Sequence, residues 1–238
     1  MMFRRFGRHS FTVSEVGVGT WAFGGAWGAQ PDESSLAALH RALDLGVNFI
    51  DTAAGYGNGR AERIVGQALR ERLAAGHTHK VYVCTKTPPV AGPWPPSPAC
   101  LASERYPEAY LRANLAERLA CLGTDALDIL LLHTWTRAWN RDPTPFKVLR
   151  ELQREGVVSL IGVSTPEHDQ NAVIDLMRGG WVDVVEVIYN LFEQEPAAEL
   201  LDVARQHGVG VIGRVVFDEG ALTGKFAAFS VWSPLRSR

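Results

Sequence analysis

The sequence predicts an α/β fold of the parallel (β/α)8 type, a TIM barrel, with only about seven of the eight strands present in 238 residues. Three observations lead to this prediction. Short aliphatic strands alternate with amphipathic helices, which is typical of a parallel sheet covered on its outer side. Glycines follow several helices, at the position where a left-handed residue commonly ends a helix. Polar side chains follow the carboxyl ends of nearly all strands. In a barrel these ends converge on one site, whereas an open doubly wound sheet binds its ligand at one switch point, so the barrel is favoured.

The elements follow one another in a regular order. Residues 3–12 resemble a small hairpin that could plug the barrel floor. Strands are predicted at residues 16–20, 47–51, 80–85, 127–132, 157–164, 182–188 and 209–212. Six of them are followed by helices, predicted at residues 32–45, 61–74, 107–121, 145–155, 167–178 and 196–207. The proline-rich residues 88–98 fit neither a helix nor an inner strand, so we expect a long loop at the mouth of the barrel.

The alternation of strands and helices is lost near the C-terminus. We expect residues 1–225 to form an incomplete barrel domain and residues 226–238 to be an aberrant tail, as a frameshift or a premature stop would produce. The tail contains no recognisable eighth strand or helix. A seven-stranded barrel would leave its first and last strands with open edges, which invites aggregation or pairing with another chain.

Composition and charge argue against several classes of function. A net charge of -2, without a basic stripe, gives no electrostatic reason to expect nucleic acid as a partner. The three cysteines have unrelated spacings, which indicate neither a disulfide framework nor a metal site and fit a reducing compartment. No segment approaches the roughly 18 apolar residues of a membrane span, and the N-terminus does not resemble a signal sequence. We therefore expect a cytoplasmic protein without a membrane partner.

Four side chains at the strand ends form a candidate catalytic set. Asp51 ends the second predicted strand, and Tyr56 follows it between two glycines; Lys86 and His133 follow the third and fourth strands. Reduction of a carbonyl needs a proton donor at the oxygen while a cofactor delivers hydride to the carbon. Tyrosine alone is too weak an acid, but an ammonium about 4 Å away lowers its pKa by about three units. Lys86 can supply that field, Asp51 can hold the lysine, and His133 can position the substrate oxygen.

Each of these side chains also has a structural interpretation. Asp51 alone fits a turn or a helix cap, Tyr56 fits loop packing, and His133 fits a structural histidine. Lys86 is less easily explained in this way, because lysine is rarely buried without a partner. The joint arrangement is much less expected by chance than any one member, and it carries the functional prediction.

The same residues lie in stretches that resemble the aldo-keto reductase family. The most specific stretch is Asp-Thr-Ala-Ala-Gly-Tyr-Gly at residues 51–57. Further matches, spread in the family's order over about residues 3–225, are Val-Gly-Thr-Trp at 18–21, Thr-Lys at 85–86, Leu-Leu-His at 131–133, Ile-Gly-Val-Ser at 161–164 and Tyr-Asn at 189–190. The resemblance implies a barrel that binds NADPH or NADH in an extended form without a Rossmann fold, with the four roles given above.

The resemblance also implies a set of cofactor contacts. These are Gly19, Thr20, Trp21, Asp51, Ser164, Thr165, Glu186, Arg214, Phe217, Gly220 and Lys225. Glu186 stands where the family usually has a glutamine that binds the nicotinamide carboxamide; a carboxylate can accept a hydrogen bond from the amide nitrogen but cannot donate one to its oxygen. Arg214 stands where many members have an aromatic residue that stacks on the nicotinamide. A guanidinium plane can also stack, or it can reach the pyrophosphate.

The sequence therefore predicts an NAD(P)H-dependent oxidoreductase that reduces the aldehyde or ketone group of a small molecule to an alcohol, with Tyr56 as the proton donor. A non-catalytic cofactor-binding regulatory protein and an inactive truncated product are the alternatives. A metal-dependent hydrolase is disfavoured, because Asp51, Lys86 and His133 do not form a ligand set and a lysine repels a cation.

Tryptophans in two of the loops give two interpretations of the barrel mouth. Trp94 lies in the proline-rich loop, and Trp135 and Trp139 follow the fourth strand. They either line an aromatic entrance for a sizeable or planar substrate or pack the loops against the rim. The sequence makes no prediction of the oligomeric state.

Overall fold

Seven parallel strands form one curled sheet, preceded by a small antiparallel hairpin. The computed structural model describes residues 1–225. The hairpin consists of β1 (Phe3–Arg5) and β2 (Thr12–Ser14). The sheet consists of β3 (Val18–Gly19), β4 (Phe49–Asp51), β5 (Tyr82–Thr87), β6 (Leu127–Leu132), β7 (Val158–Ser164), β8 (Val184–Ile188) and β9 (Gly210–Arg214), which lie side by side in this order. The parallel α/β fold predicted from the sequence is therefore confirmed.

Helices connect successive strands and cover the outer side of the sheet. They are α1 (Asp32–Asp44), α2 (Arg60–Ala74), α3 (Ala102–Arg105), α4 (Glu108–Leu122), α5 (Thr144–Arg154), α6 (Ile174–Arg178), α7 (Glu195–Ala198) and α8 (Leu200–His207). Short 3-10 segments lie at Trp21–Gly24, Arg137–Arg141, Gln170–Val173 and Asp218–Thr223, and the last is interrupted by a kink at Glu219 and Gly220. As predicted, residues 88–98 contain neither a helix nor a strand.

The core has two layers, because successive side chains of a strand face opposite sides of the sheet. In β6, Leu130 and Leu132 pack in the large cluster that contains the helices. Ile129 and Leu131 instead face the inside of the barrel, where they pack in a smaller cluster with Phe6 and Val13 of the hairpin region. The hairpin therefore closes the end of the barrel at which the strands begin, as the sequence suggests.

Backbone contacts fix the hairpin at the barrel floor. The amide of Arg8 donates a hydrogen bond of 2.8 Å to the carbonyl of Gly208. Gly7 has a φ of +58°, and a Cβ at this position would lie 2.6 Å from the same carbonyl, so the close approach requires glycine. Asn48 ties the start of β4 to the hairpin, since its side chain accepts from the amide of Ser14 at 2.6 Å and donates to the carbonyl of Thr12 at 2.9 Å.

Two of the predicted helices are interrupted. The helix expected over 196–207 is divided at Glu199, which has a φ of −148°. The helix expected over 167–178 begins only with the 3-10 turn Gln170–Val173. Its first residues are held as a loop by the buried Gln170 side chain, which donates to the carbonyls of Pro166 and Glu167 and accepts from the amide of Ile188. The hydrogen bonds of this one side chain therefore take the place of those that the first turn of the predicted helix would have made.

Within residues 1–225 the sheet has two free edges. Here β3 pairs only with β4, and β9 pairs only with β8, so the barrel is open between β3 and β9. The predicted tail, residues 226–238, lies outside the described residues. None of the helices in the described part of the chain is long and apolar enough to cross a membrane.

Candidate active site

Lys86 is the centre of a buried polar cluster at the carboxyl ends of β4 and β5. Its side chain is fully buried, and its three N–H groups have three acceptors. Lys86 Nζ donates to Asp51 Oδ1 at 2.6 Å and to the carbonyl of Thr52 at 3.0 Å, and it lies 3.4 Å from the hydroxyl of Tyr56. Three of the four predicted catalytic side chains are therefore in direct contact.

The loop after β4 positions Tyr56 by a close backbone contact. A Cβ on Gly24 would lie 2.6 Å from the amide nitrogen of Gly57, which allows the 3-10 turn after β3 to pack directly on the Tyr56 loop. Gly57 itself has a φ of +64°, in the left-handed region that favours glycine. Gly24 permits the close approach of the turn after β3, and Gly57 permits the sharp bend of the loop that carries Tyr56.

His133 lies beside Tyr56 at the end of β6. Its amide donates to the carbonyl of Thr87 at 2.8 Å, which extends the pairing between β5 and β6 by one residue. Its ring centroid lies 6.0 Å from that of Tyr56, with the rings at 75°. Burial, together with the positive charges of Lys86 and Arg214, lowers the pKa of His133 to about 3. The imidazole is therefore neutral near pH 7 and can donate one hydrogen bond.

The acidity of Tyr56 differs from the expectation. The ammonium lies closer than the assumed 4 Å, yet burial raises the pKa of Tyr56 to about 12. Lys86 lowers the pKa of the phenol, whereas the negative charges of Asp51 and Glu186 raise it. The expectation that Lys86 brings this pKa toward neutrality is therefore wrong, because burial outweighs the field of the lysine.

Glu186 is a second carboxylate beside Lys86. Glu186 Oε2 lies 3.3 Å from Lys86 Nζ, and Glu186 Oε1 accepts from Ser164 Oγ at 3.3 Å and lies 3.6 Å from Arg214 Nε. Although burial alone would lower the pKa of Lys86, the carboxylates of Asp51 and Glu186 raise it well above its ordinary value. The ammonium is therefore charged, and it is shared between two carboxylates.

The cluster opens into a cleft of about 1230 Å³. Its lining includes His133, Tyr56 and most of the side chains predicted to bind the cofactor, namely Gly19, Thr20, Trp21, Asp51, Ser164, Thr165, Glu186, Arg214, Phe217 and Gly220. Lys225 is exposed and does not line the cleft. The Thr165 hydroxyl directs its proton into the protein, since it lies 2.5 Å from Gln170 Oε1 and 3.0 Å from the carbonyl of Glu186, so it can serve a ligand only as an acceptor.

The polar groups in the wall of the cleft fit a nicotinamide nucleotide. The volume of about 1230 Å³ is larger than the ligand site alone, because the cleft also reaches the open edge between β3 and β9 and the hairpin at the barrel floor. Two buried atoms in its wall, Glu186 Oε2 and Arg214 Nε, have no hydrogen-bond partner among the described residues, and such atoms usually mark a bound group or water. A Cβ added to Gly19 would meet nothing within 4 Å, so the backbone at this position is open to the cleft.

The acidic groups of the cluster serve as counterions of Lys86. Potential metal-ligand atoms of Asp51, Cys84 and Glu186 lie within 4.8 Å of one another. However, the Lys86 ammonium lies 2.6 Å from Asp51 and 3.3 Å from Glu186, so both carboxylates already face a positive charge. A cation placed among them would meet this ammonium.

The tryptophans have two different roles. Trp135 and Trp139 are fully buried and pack edge to face against each other, at a centroid distance of 5.4 Å, so the interpretation as an open aromatic entrance is wrong for these two. Trp94 is 48% exposed and lines the cleft. Trp27, which the sequence analysis does not single out, lies 5.2 Å from Trp21 on the cleft wall. The repeated tryptophan and glycine residues at 21–28 are the only local signal that could have indicated it.

Comparison with known proteins gives consistent matches over nearly the whole chain. The model of the "Aldo/keto reductase family" matches residues 15–228. The aldo-keto reductase YhdN of Bacillus subtilis (strain 168) is 32% identical over 215 residues, which are 90% of this chain and 61% of that protein. The NADH-specific methylglyoxal reductase of Escherichia coli (strain K12) is 31% identical over 236 residues, covering 92% of this chain and 68% of that protein. The chain thus spans about two thirds of the length of these relatives.

Two solved structures are similar in fold and sequence. The glycerol dehydrogenase AKR11B4 from Gluconobacter oxydans superposes with a TM-score of 0.76 at 25% identity, covering 98% of this chain and 68% of that one. The aldo/keto reductase from Klebsiella pneumoniae in complex with NADP and acetate superposes with a TM-score of 0.71 at 27% identity, covering 96% of this chain and 73% of that one.

Proposed function

The chain belongs to the aldo/keto reductase family, and from this premise we propose that its site reduces the aldehyde or ketone group of a small molecule to an alcohol with NADPH or NADH. The observation that carries the proposal is the contact of Lys86 Nζ with both Asp51 Oδ1, at 2.6 Å, and the Tyr56 hydroxyl, at 3.4 Å, in the wall of an open cleft. A buried ammonium between a carboxylate and a phenol is suited to proton transfer at that phenol.

A bound reduced nicotinamide supplies the hydride that the carbonyl carbon receives. Tyr56 gives its hydroxyl proton to the carbonyl oxygen, and the O–H bond of the alcohol forms as the phenolic O–H bond breaks. Lys86 stabilises the tyrosinate that remains, and Asp51 keeps the ammonium beside it. His133, which is neutral near pH 7, donates a hydrogen bond to the substrate oxygen and orients it toward Tyr56.

The high pKa of Tyr56 makes the phenol a weaker proton donor than an ordinary tyrosine. Because burial raises this pKa to about 12, the phenol keeps its proton throughout the neutral range, and its transfer depends on stabilisation of the tyrosinate by Lys86. Negative charge on the substrate oxygen appears only as hydride arrives, and Lys86 then stabilises charge that moves from the substrate to the phenol. The lysine therefore acts most strongly on the transition state, where its field lowers the barrier.

We assign the cofactor to the part of the cleft between β3 and the ends of β7, β8 and β9. Gly19 and Thr20 would contact it on one side, and Ser164, Glu186 and Arg214 on the other. The Klebsiella pneumoniae structure contains NADP, and the Escherichia coli relative is named as NADH-specific, which supports a nicotinamide cofactor of either type. Glu186 would accept a hydrogen bond from the carboxamide nitrogen.

A binding and turnover experiment tests the proposal. The purified chain is titrated with NADPH and with NADH while the fluorescence of the reduced nicotinamide is followed, and an activated aldehyde is then added. We expect binding and turnover, and we expect Tyr56→Phe to reduce kcat by at least about 100-fold without changing the Kd of the cofactor. Tight binding without turnover would instead favour a regulatory protein and overturn the proposal.

A further inference from the structure

Glu186 occupies an unusual place for a carboxylate. It is the third residue of β8, it is fully buried, and its sequence neighbours Val185 and Val187 are buried as well. A buried carboxylate is costly unless it is paired and hydrogen-bonded. The polar and titratable groups that face it come from four other strands and the loop after β4: Asp51, Tyr56, Cys84, Lys86, Ser164 and Arg214.

Glu186 and Tyr56 lie at nearly the same distance from the ammonium of Lys86. An ammonium has three N–H groups. Those of Lys86 are directed to Asp51 Oδ1, to the carbonyl of Thr52 and to the Tyr56 hydroxyl. Glu186 Oε2 lies 3.3 Å from the same Nζ, slightly closer than the Tyr56 hydroxyl at 3.4 Å. Lys86 therefore has four oxygen neighbours for three N–H groups, and Glu186 and Tyr56 are the two most distant of them.

We propose that Glu186 is a positioning residue that competes with Tyr56 for the ammonium of Lys86 and so sets the strength of Tyr56 as a proton donor. This inference rests on the proposed function, because it concerns the same proton transfer. When Glu186 is ionised, it attracts the ammonium and adds negative charge beside the phenol, which disfavours the tyrosinate. When Glu186 is protonated, it no longer attracts the ammonium, and the third N–H of Lys86 can stabilise the tyrosinate of Tyr56.

Arg214 and Ser164 keep Glu186 in this competing position. Arg214 Nε lies 3.6 Å from Oε1, and the Arg214 guanidinium is itself fixed by a 3.0 Å hydrogen bond to the carbonyl of Thr165. Ser164 Oγ donates to the same Oε1, so Oε2 is directed at Lys86. Burial and the charge of Asp51 raise the pKa of Glu186 toward neutrality, while Lys86 and Arg214 lower it. The pKa of Glu186 is therefore higher than that of an ordinary glutamate.

The first experiment measures the competition without cofactor or turnover. The carboxyl carbons of glutamate are followed by 13C NMR from pH 4 to 9, with the Glu186 signal assigned by its loss in Glu186→Gln or, if that variant is unstable, in Glu186→Asp. In Tyr56→Phe the released N–H of Lys86 becomes available to Glu186. We expect the pKa of Glu186 to fall by roughly half a unit in that variant. An unchanged pKa would overturn the inference.

The second experiment measures the consequence for turnover. In the wild type we expect kcat/KM for reduction to fall as pH rises through the ionisation of Glu186, because the charged form weakens Tyr56 as an acid. Glu186→Gln should lose this ionisation, so the ratio of its kcat/KM to that of the wild type should be roughly three- to tenfold higher at pH 8 than at pH 5.5, whatever pH-independent change the substitution makes to cofactor binding. Glu186→Asp, which keeps the charge, should keep the pH dependence.

Glu62 provides a matched control. It is also a buried glutamate whose pKa is raised by burial, but its carboxylate pairs with Thr85 Oγ1 at 2.6 Å and with Arg118 Nη1 at 3.0 Å, and within residues 1–225 it makes no hydrogen bond or ion pair with Lys86. Glu62→Gln should keep the wild-type pH profile. If Tyr56→Phe abolishes turnover but Glu186→Gln leaves the profile unchanged, only this inference fails. If Tyr56→Phe retains full turnover, the proposed function itself fails.

Discussion

Two buried carboxylates lie three residues apart, one just before β8 and one within it, and they are held in opposite ways. Both oxygens of Asp183 accept from Arg150, at 3.1 and 2.9 Å, and Asp183 also accepts from Gln153 at 2.8 Å and from Arg8 at 3.1 Å. Glu186 has only long contacts, of 3.3 Å or more, and its Oε2 has no hydrogen bond within residues 1–225.

The difference agrees with a structural role for Asp183 and with the proposed positioning role of Glu186. Asp183 lies at the floor of the barrel, where its partners join the hairpin, α5 and the start of β8. Glu186 lies in the wall of the cleft, where a saturated carboxylate could not respond to a substrate or a proton. A buried polar group that is fully bonded makes the structure rigid, whereas an incompletely bonded one needs a separate explanation, which for Glu186 is the proposed competition for Lys86.

The largest effect is expected when the ammonium of Lys86 is removed from the cleft cluster, which consists of Lys86, Asp51, Tyr56 and Glu186. Lys86→Met deletes the charge beside Tyr56, and a charge at this distance is worth about 4 kcal/mol at an effective dielectric of 20. We expect kcat to fall about 1000-fold. Steady-state kinetics at saturating cofactor measure the loss, and circular dichroism checks that the variant is folded. A variant that is folded and retains more than a tenth of the activity would contradict this role.

The next effect concerns the floor cluster, which consists of Asp183 with Arg8, Arg150 and Gln153. Asp183→Asn leaves Arg150 and Arg8 without their buried counterion, and breaking a buried ion pair destabilises a protein by several kcal/mol. Because both arginines are partly exposed, solvent screening reduces the expected loss to about 2 kcal/mol. Urea unfolding measures this loss. A change below about 0.5 kcal/mol would show that the floor cluster does not hold the fold together.

A smaller effect is expected from the titration of His133. Its pKa in the folded protein, about 3, lies below the ordinary value of 6.5, so the unfolded chain binds a proton that the folded chain does not. Stability is therefore unaffected above pH 6.5 and falls as pH decreases below it. We expect His133 to contribute a loss of about 1 to 2 kcal/mol by pH 5. The Cε1 NMR signal of His133 should stay constant from pH 5 to 8; a titrating signal would refute the neutral imidazole.

The smallest effect is expected at the surface. Arg178 and Glu199 form an ion pair at 2.6 Å, and both side chains are 51% exposed. Pairs of this kind contribute about 0 to 1 kcal/mol. Arg178→Ala should therefore change the unfolding free energy by less than about 0.5 kcal/mol and leave kcat unchanged. A larger loss of unfolding free energy would contradict the expectation that exposed ion pairs contribute less to stability than buried ones.

The order of the elements could be predicted from the sequence, but contacts across the barrel could not. The alternation of strands and helices indicates β3 to β9 because it depends on local patterns of apolar residues. The contact of Glu186 with Lys86 joins β8 to β5 across the curled sheet, and no local pattern encodes it. Glu186 stands out in the sequence as a glutamate between the valines of a predicted strand. Its effect on Lys86 becomes visible only in the structure.

The remaining differences from the sequence predictions have physical causes in single residues. The helix expected at 167–178 starts late because the side chain of Gln170 takes backbone partners that a helix would have used. Trp135 and Trp139 are buried, since a loop can turn its aromatic residues inward as easily as toward the cleft. The pKa of Tyr56 is higher than expected because burial, which the sequence does not measure, exceeds the effect of Lys86.

The most direct test determines kcat and the free energy of unfolding for Tyr56→Phe and Asp183→Asn in parallel. Tyr56→Phe removes one hydroxyl from the cleft cluster, and Asp183→Asn removes one charge from the floor. We expect Tyr56→Phe to lose at least about 100-fold in kcat with less than about 1 kcal/mol change in stability, and Asp183→Asn to show the reverse. Full turnover in Tyr56→Phe, or equal losses of activity per folded molecule in both variants, would contradict the assignment of the Lys86 cluster as the catalytic site.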